Sequence, residues 1–520
     1  MTPVRARLCG SAIVVLAAAA AGHGLAQPVF IQRVTVAGDS TSRGMVTNAG
    51  FTDACINQSG LVAFSCVINS RNSAVLAAPG FINPLFVAGD TVQTSSGPVT
   101  TDFSREVTSV RINDAGHVAF GSNAMLILGG AGPNTAYLRD GTPAGDGSIY
   151  AVPNNYALQD PYFGFNNLDQ MLGRIQMVNS SDFSRPILMS SPTKRTHLFA
   201  SGDPIGAPAD GLSIVGSSSP LVLTNAGHAA QVVSLAGPGV DSTNNVGLAV
   251  YDGSSNLLVA RTGAIVPNSG GRTLRSINQE YRTHADNGNI AAQGTLNPLD
   301  GGDQVRTCVL RGNESGLGLL AKSGDPAPGF APGTTLRTLV TPVINDAGKV
   351  AVLSDVSNTN LLWGLWTADP GSSTLEPIAM YGAPAPGTSL TFQGSLTSVR
   401  MMLNDQNQLV FHTLLSSNGS GIFATTLAGV LEKVVATGDM LQVAPGAFRQ
   451  VQSVSMSDEA NATGLMAQNT FNDQGMLAFV ATFTDGTSGV FRAQVPAPSP
   501  CVLAAMTVAL IHRRRRVRAD

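Results

Sequence analysis

Charge is scarce in this chain. Only 12% of its 520 residues are Asp, Glu, Lys or Arg, and the net charge is −3. A near-neutral protein of that kind lacks the basic footprint that nucleic acid requires. Aromatic residues are also few, at 6%, with only two tryptophans, Trp363 and Trp366. Seven histidines and five cysteines form no His-Glu-x-x-His and no paired Cys-x-x-Cys. Neither a metal nor another cofactor is therefore expected. No Gly-x-Ser-x-Gly elbow marks a serine hydrolase. The apolar segments at the two ends, Ser11 to Ala21 and Cys501 to Ile511, are eleven residues each. Both fall short of the roughly 20 residues that cross a bilayer. Helical periodicity is missing outside the termini.

Turn residues are plentiful instead, with 57 Gly and 29 Pro. They recur in order. Asn, two spacers, Gly, two spacers, then Ala-Phe reads Asn57–Gly60–Ala63–Phe64, Asn113–Gly116–Ala119–Phe120 and Asn472–Gly475–Ala478–Phe479. Degenerate copies lie between these. The Gly position holds Gly60, Gly116, Asp169, Gly227, Gly288, Gly348, Asn407 and Gly475, all residues that tolerate a positive φ. The Asn position holds Asn57, Asn113, Asn166, Thr224, Ala285, Asn345, Asn404 and Asn472. Asn opening a tight turn is expected to bond its own backbone two residues on. Short β-rich runs flank each copy, such as Val107 to Ile112 and His117 to Phe120. Each copy is thus a hairpin.

A second mark, Gly-Asp with nearby Pro and Gly, follows each hairpin. Its glycines are Gly38, Gly89, Gly141, Gly202, Gly263, Gly324, Gly382 and Gly438, at intervals of 51 to 61 residues. Two further apolar runs lie between the marks, for example Gly421 to Thr425 and Leu431 to Ala436. Each unit is therefore four short antiparallel strands: A before the Asn-Gly turn, B after it, then C, then D ending at Gly-Asp. Such a meander repeated eight times predicts an all-β fold, a β-propeller of eight four-stranded blades. The chain starts with a lone D strand, Phe30 to Ala37, and finishes with an A–B–C set, Met466 to Arg492. The two fragments complete one blade, so the N-terminal strand closes the ring and removes exposed edges. A seven-bladed ring is the geometric alternative. An open solenoid would carry caps rather than complementary fragments.

The ends predict an address. Residues 1–26 read as a signal peptide: Arg5 and Arg7, the apolar segment, then Gly24-Leu25-Ala26 before a mature start near Gln27. Residues 27–495 form the repeat domain. Residues 496–520 carry a Pro-rich motif beginning Val495-Pro496-Ala497-Pro498, the apolar segment, and Arg513 to Arg516. This tail resembles the PEP-CTERM sorting signals of Gram-negative bacteria, with Ala497 where the usual signal has Glu. The resemblance implies processing by an exosortase-type enzyme and only transient membrane contact through the termini. The repeat itself resembles the NxxGxxAF tandem-repeat family of secreted bacterial proteins, from Phe30 to Gln494. That resemblance implies a secreted or cell-surface protein and brings no catalytic residue with it.

Candidate chemistry is thin. His284-Ala285-Asp286-Asn287-Gly288-Asn289 alternates oxygen ligands like a calcium loop, but it coincides with an Asn-Gly-type turn and lacks a closing acid. Turn chemistry accounts for it better. Asp39, Asp90, Asp203, Asp325 and Asp439 of the Gly-Asp marks are expected to accept backbone N–H groups in their own loops. A residue repeated in every blade serves the blade, whereas a site breaks symmetry. Strand A should line the central channel, and its symmetry-breaking members are Asp53, Arg111, Asp160, Tyr162, Glu280, Tyr281, Arg282 and Arg400. They are the candidate ligand-binding residues, set against pairing between blades. Trp363 and Trp366 on a C strand are expected to stack on sugar or, more commonly, to be buried between blades. Cys55 and Cys66 share a hairpin whose register, with Ile56 opposite Leu61, does not bring them together, which favours buried thiols over a disulfide. Two functions follow. One is a binding or structural module for an extracellular polysaccharide or protein. The other is an extracellular glycan- or phosphoester-active hydrolase or lyase using channel carboxylates and arginines, with Arg400 and Asp160 as its test positions.

Overall fold

The computed structural model describes residues 29–495 except 48–50, 103–106, 123–124, 131, 144–148, 152–163, 179–183, 218–220, 300–302, 358–361 and 457–469. Among these residues there is no α-helix, only strands and three single-turn 3-10 segments. The expected signal peptide and sorting tail, and Asp160 and Tyr162, lie outside the described residues.

Eight sheets built on the expected antiparallel A–B–C–D order form an eight-bladed propeller, with an extra hairpin, Thr91–Thr94 and Gly97–Thr100, joined in parallel to the D strand of blade 2. Blades 1 to 7 are continuous in sequence. Blade 8 takes strand B from Met476–Phe483, strand C from Ser488–Gln494 and strand D from the other end of the chain, Phe30–Val36. The closing pair runs from Phe30 opposite Gln494 to Val36 opposite Gly489. Eight blades replace the seven-bladed alternative.

Every Asn-Gly turn has the same geometry. The residue at the Gly position donates its N–H to the carbonyl three residues back, in all eight copies, including Thr224–Gly227 and Ala285–Gly288. Its φ is positive each time, from +58° at Asp169 to +87° at Gly288. The expected bond two residues on is made by Asn166 and Asn472, which accept from Leu168 and Gln474 at 3.0 Å, and the Asn side chain also reaches further. Its Oδ1 accepts the N–H four residues on, as from Leu61 to Asn57 at 2.9 Å and from Gln408 to Asn404 at 2.8 Å. Thr224 does the same through its hydroxyl, to His228 at 3.1 Å.

The Ala-Phe pair explains how blades stack. Successive residues of strand B point to opposite faces. Ala63 packs with Phe120 of blade 2, while Phe64 packs with Ala478 and Val490 of blade 8. Ala119 in turn faces Phe165 and Met171 of blade 3. Each of these interfaces therefore meets a small residue with a large one, and the repeat side chains Ala63, Phe64, Ala119, Phe120 and Ala478 are all fully buried.

Two sequence expectations change. Strand A starts soon after the Gly-Asp loop and is bulged or split, as in Leu274–His284 of blade 5 or Ser213–Ser217 with Val222–Leu223 of blade 4. In blade 8, Ala447–Ser455 pairs with strand B, and Phe471 adds a bridge to Leu477. The rest of the expected last A strand lies outside the described residues. In blade 1, Cys55 stands opposite Ala63, not Val62. The turn holds Asn57 opposite Leu61, one residue later than expected. Cys55, Cys66 and Cys308 are buried and form no disulfide. Burial pushes the Cys66 and Cys308 thiols up to about 12, so both behave as small apolar residues.

Candidate functional site: the mouth of the channel

The residue after the repeat's Asn builds a closed ring. Its eight members are Gln58, Asp114, Asn167, Asn225, Asp286, Asp346, Asp405 and Asp473, one per blade, and all line one depression. Backbone N–H groups bond to the next blade's side chain all the way round. Gln58 donates to Asp114 at 3.0 Å, Asp114 to Asn167 at 2.9 Å, and Asn167 to Asn225 at 3.0 Å. Asn225 donates to Asp286 at 2.6 Å, Asp346 to Asp405 at 2.8 Å, and Asp405 to Asp473 at 2.8 Å. Asp473 returns to Gln58 Oε1 at 3.1 Å. Only blade 5 deviates, where Asn287 rather than Asp286 donates to Asp346, at 3.1 Å.

A second girdle lies beside the first. The Asn57 amide donates to the carbonyl of Asn113 at 3.1 Å, Asn345 to Asn404 at 2.8 Å, Asn404 to Asn472 at 3.0 Å, and Asn472 back to Asn57 at 2.7 Å. Asn suits this position because one amide accepts within its turn and donates across the interface. Asp could make only the first bond. At Ala285 that donor is missing, and Asn289 supplies one to Asp346 at 3.0 Å.

The mouth behind this ring is narrow. It holds about 160 Å³, floored by Ile56, Ile344, Leu403 and Phe471. Sites for drug-sized ligands run to roughly 300–1,000 Å³, so the opening suits an ion or one protruding group. Five carboxylates and no basic side chain line it among the described residues. Burial, reinforced by Asp473, Asp346 and Asp286, lifts Asp405 from 3.8 to about 6. Asp286 is raised by burial and then by Asp346 and Asp473, against two bonds from Asn225.

A pH test follows. A carboxylate whose folded value lies above its unfolded one takes up a proton on folding. Its penalty is full above pH 6 and is relieved as pH falls from about 6 through 3.8. Asp405→Asn, the residue type of Asn167 and Asn225, should stabilise the protein at pH 7–8. Solvent at the mouth screens the effect to the order of 1 kcal/mol. Denaturant midpoints of the two proteins should converge near pH 4, and a constant difference across that range would refute the assignment.

The sequence-selected residues lie elsewhere. Arg111 is buried and donates to the carbonyl of Val110 at 2.9 Å. Arg400 donates to the carbonyls of Thr397 and Val399. Neither lines the mouth. Asp53, Glu280, Tyr281 and Arg282 sit on the A strands Thr52–Ile56 and Leu274–His284, with side chains outside the described set. The Gly-Asp aspartates close their own loops, each accepting the N–H three residues back, as from Val36 to Asp39 at 2.9 Å and from Ala436 to Asp439 at 2.9 Å. Trp363 and Trp366 are fully buried, and Trp366 donates to Pro328 at 2.9 Å.

Sequence reasoning overlooked the ring, although its signal was present: the position after the repeat's Asn is Asp, Asn or Gln in all eight copies. A larger groove of about 810 Å³ runs along the closure seam, with Phe30 and Phe81 on its walls.

The class is thus an eight-bladed propeller with a hydrogen-bonded acidic mouth. Residues 180–502 match a family of unknown function, DUF7453, and the chain belongs to that family. The chain matches no curated protein. Among solved structures, it is similar to polysaccharide lyase Uly1, at 10% identity and a TM-score of 0.35, over 76% of this chain and 92% of that one. It is similar to the WD40 domain of SCAP from fission yeast, at 8% identity and a TM-score of 0.32, over 90% and 96%. It is also similar to PorZ of Porphyromonas gingivalis, a surface component of a type-IX secretion system, at 12% identity and a TM-score of 0.27, over 86% and 62%. Likeness at that level transfers no activity, ligand or partner.

Proposed function

We propose that the protein is a secreted or cell-surface binding module of the extracellular matrix or envelope, and that its mouth receives a positively charged group of a polysaccharide or protein ligand. The observation that carries this reading is the ring. Its side-chain oxygens accept from backbone donors, while burial, and after it the neighbouring carboxylates, raise Asp286 and Asp405. A cation entering there relieves like-charge repulsion, which is a binding function and needs no nucleophile. Export is supported by the signal-like first 26 residues and the sorting-like tail, and the exosortase-type enzyme is proposed as the partner of that tail.

A glycan-array and pull-down screen of the mature chain tests the proposal. Asp286→Asn, Asp346→Asn, Asp405→Asn and Asp473→Asn together should weaken the captured ligand at least tenfold, about 1.4 kcal/mol, while the chain stays folded. Unchanged binding in that variant would remove the mouth from the proposal. If Phe81→Ala then abolished binding, the ligand would belong to the seam groove. Capture of nothing in the screen would remove the binding role.

A further inference from the structure

One cluster breaks the repeat. The residue before the repeat's Asn position is Ile56, Ile112, Phe165, Leu223, Ile344, Leu403 and Phe471 in seven blades, all apolar, and His284 in blade 5. Its side chain is 1% exposed. It meets His228, which opens strand B of blade 4, and Glu314, which lies in the C–D turn of blade 5 between Arg306–Asn313 and Gly316–Lys322. Three elements of two blades thus deliver two imidazoles and a carboxylate to one point.

We propose that His228 Nδ1, His284 Nε2 and a Glu314 carboxylate oxygen form a binding site for a divalent transition-metal ion, with Zn²⁺ as the favoured occupant. The three ligand atoms all lie within 4.8 Å of one another. Glu314 Oε1 stands 2.6 Å from His228 Nδ1 and 3.1 Å from His284 Nε2. In a tetrahedral zinc site with bonds of roughly 2.0–2.1 Å, ligand atoms are separated by roughly 3.3 Å. Opening these edges by less than 1 Å reaches that figure. The move falls first to Glu314, the residue on a turn, since His284 ends strand Leu274–His284 and His228 directly precedes strand Ala229–Ala236.

The chemistry of the set selects the metal. Two neutral imidazoles and one carboxylate suit a borderline ion, whereas Ca²⁺ and Mg²⁺ prefer all-oxygen sites. His284 Nδ1 has no hydrogen-bond partner among the described residues, so nothing there forces the proton onto Nε2. The His228 and Glu314 side chains are 25% and 21% exposed, which leaves a solvent-facing fourth position for water. Space confines the carboxylate: at Gly288, whose φ is +87°, an added Cβ would stand 3.2 Å from Glu314 Cδ. By contrast His117, at the same repeat position as His228, pairs at 2.8 Å with Asp169 alone, with no third ligand among the described residues.

The simpler reading is a hydrogen-bonded His–Glu–His triad, and the experiment separates the two. The mature chain, expressed without a histidine tag and stripped with chelator, is dialysed against Zn²⁺ and its metal content measured. Co²⁺ loading is followed by visible absorption. One equivalent of Zn²⁺ and an intense four-coordinate Co²⁺ band are expected. His284→Leu installs the residue of blades 4 and 7 and so should keep the fold. It and Glu314→Gln should each weaken binding by about 100-fold or more, whereas His117→Ala should leave it unchanged. Absence of bound metal, or a stoichiometry unaffected by His284→Leu and Glu314→Gln, would overturn the site and leave the triad.

Discussion

Removal of residues 28–36 should abolish the cooperative unfolding transition of the domain. Strand Phe30–Val36 is the only D strand available to blade 8 among the described residues, and it pairs with Ser488–Gln494 along its whole length. Without it, Ser488–Gln494 becomes an exposed, apolar edge with Val490 and Phe491 on it. Such an edge invites pairing with a second chain. Val34 would also vanish from the blade 8–blade 1 interface, where it packs in one cluster with Phe64 and Ala478. The expected result is a soluble aggregate by size-exclusion chromatography and no single melting transition. A synthetic peptide of residues 28–38 added in trans should restore both, by the same strand addition. A truncated chain that stayed monomeric with an unchanged midpoint would show that the ring does not depend on closure.

The second large effect is expected at Phe411, the aromatic of the seventh repeat. It is fully buried, with ring centroids 5.8 Å from Phe392 and 5.7 Å from Phe423. Phe411→Ala should cost about 3–5 kcal/mol through lost burial and the cavity left behind. Loss of two aromatic contacts places it toward the upper end. Blades contact chiefly their neighbours, so the damage starts at the blade 6–blade 7 interface, where Phe411 clusters with Trp363 and Leu365. Denaturant unfolding checks the figure. Phe448→Ala, at a residue 55% exposed, is the control and should stay within about 0.5 kcal/mol. Equal losses in the two variants would mean that the repeat aromatic is not an interface anchor.

Much of the fold was legible because its signals are local. A positive φ is easiest for Gly, Asn and Asp, and the eight such residues at the repeat's turn positions locate eight turns. The strands beside each turn alternate by the pleat, so Ala63 and Phe64 already declared opposite faces. The unequal ends, a spare D strand first and an A–B–C set last, declared closure.

The site was less legible, and the reason lies in one assumption. Repeated residues were assigned to the blade and unique ones to the site. The ring of Asp114, Asp286, Asp346, Asp405 and Asp473 violates that division. Each carboxylate serves its neighbour's backbone, and symmetry then brings all five to one axis. A residue repeated around a ring converges in a way that a residue repeated along a line does not. The assumption held for the Gly-Asp aspartates, which bond within their own loops. The proposed metal site applies the same assumption to His284, which departs from an apolar repeat position.

The sequence by itself determined the four-stranded unit and the way the ends meet, since turn stereochemistry and period-two burial act over a few residues; it pointed to eight blades, and the structure decided between eight and seven. Tertiary structure decided what faces what across the channel and between blades. Asp286 and Asp473 lie 187 residues apart in the chain, and His228 and Glu314 lie 86 apart. Stacking of neighbouring blades and closure of the ring set the distances between them, and electrostatics and metal coordination depend on those distances.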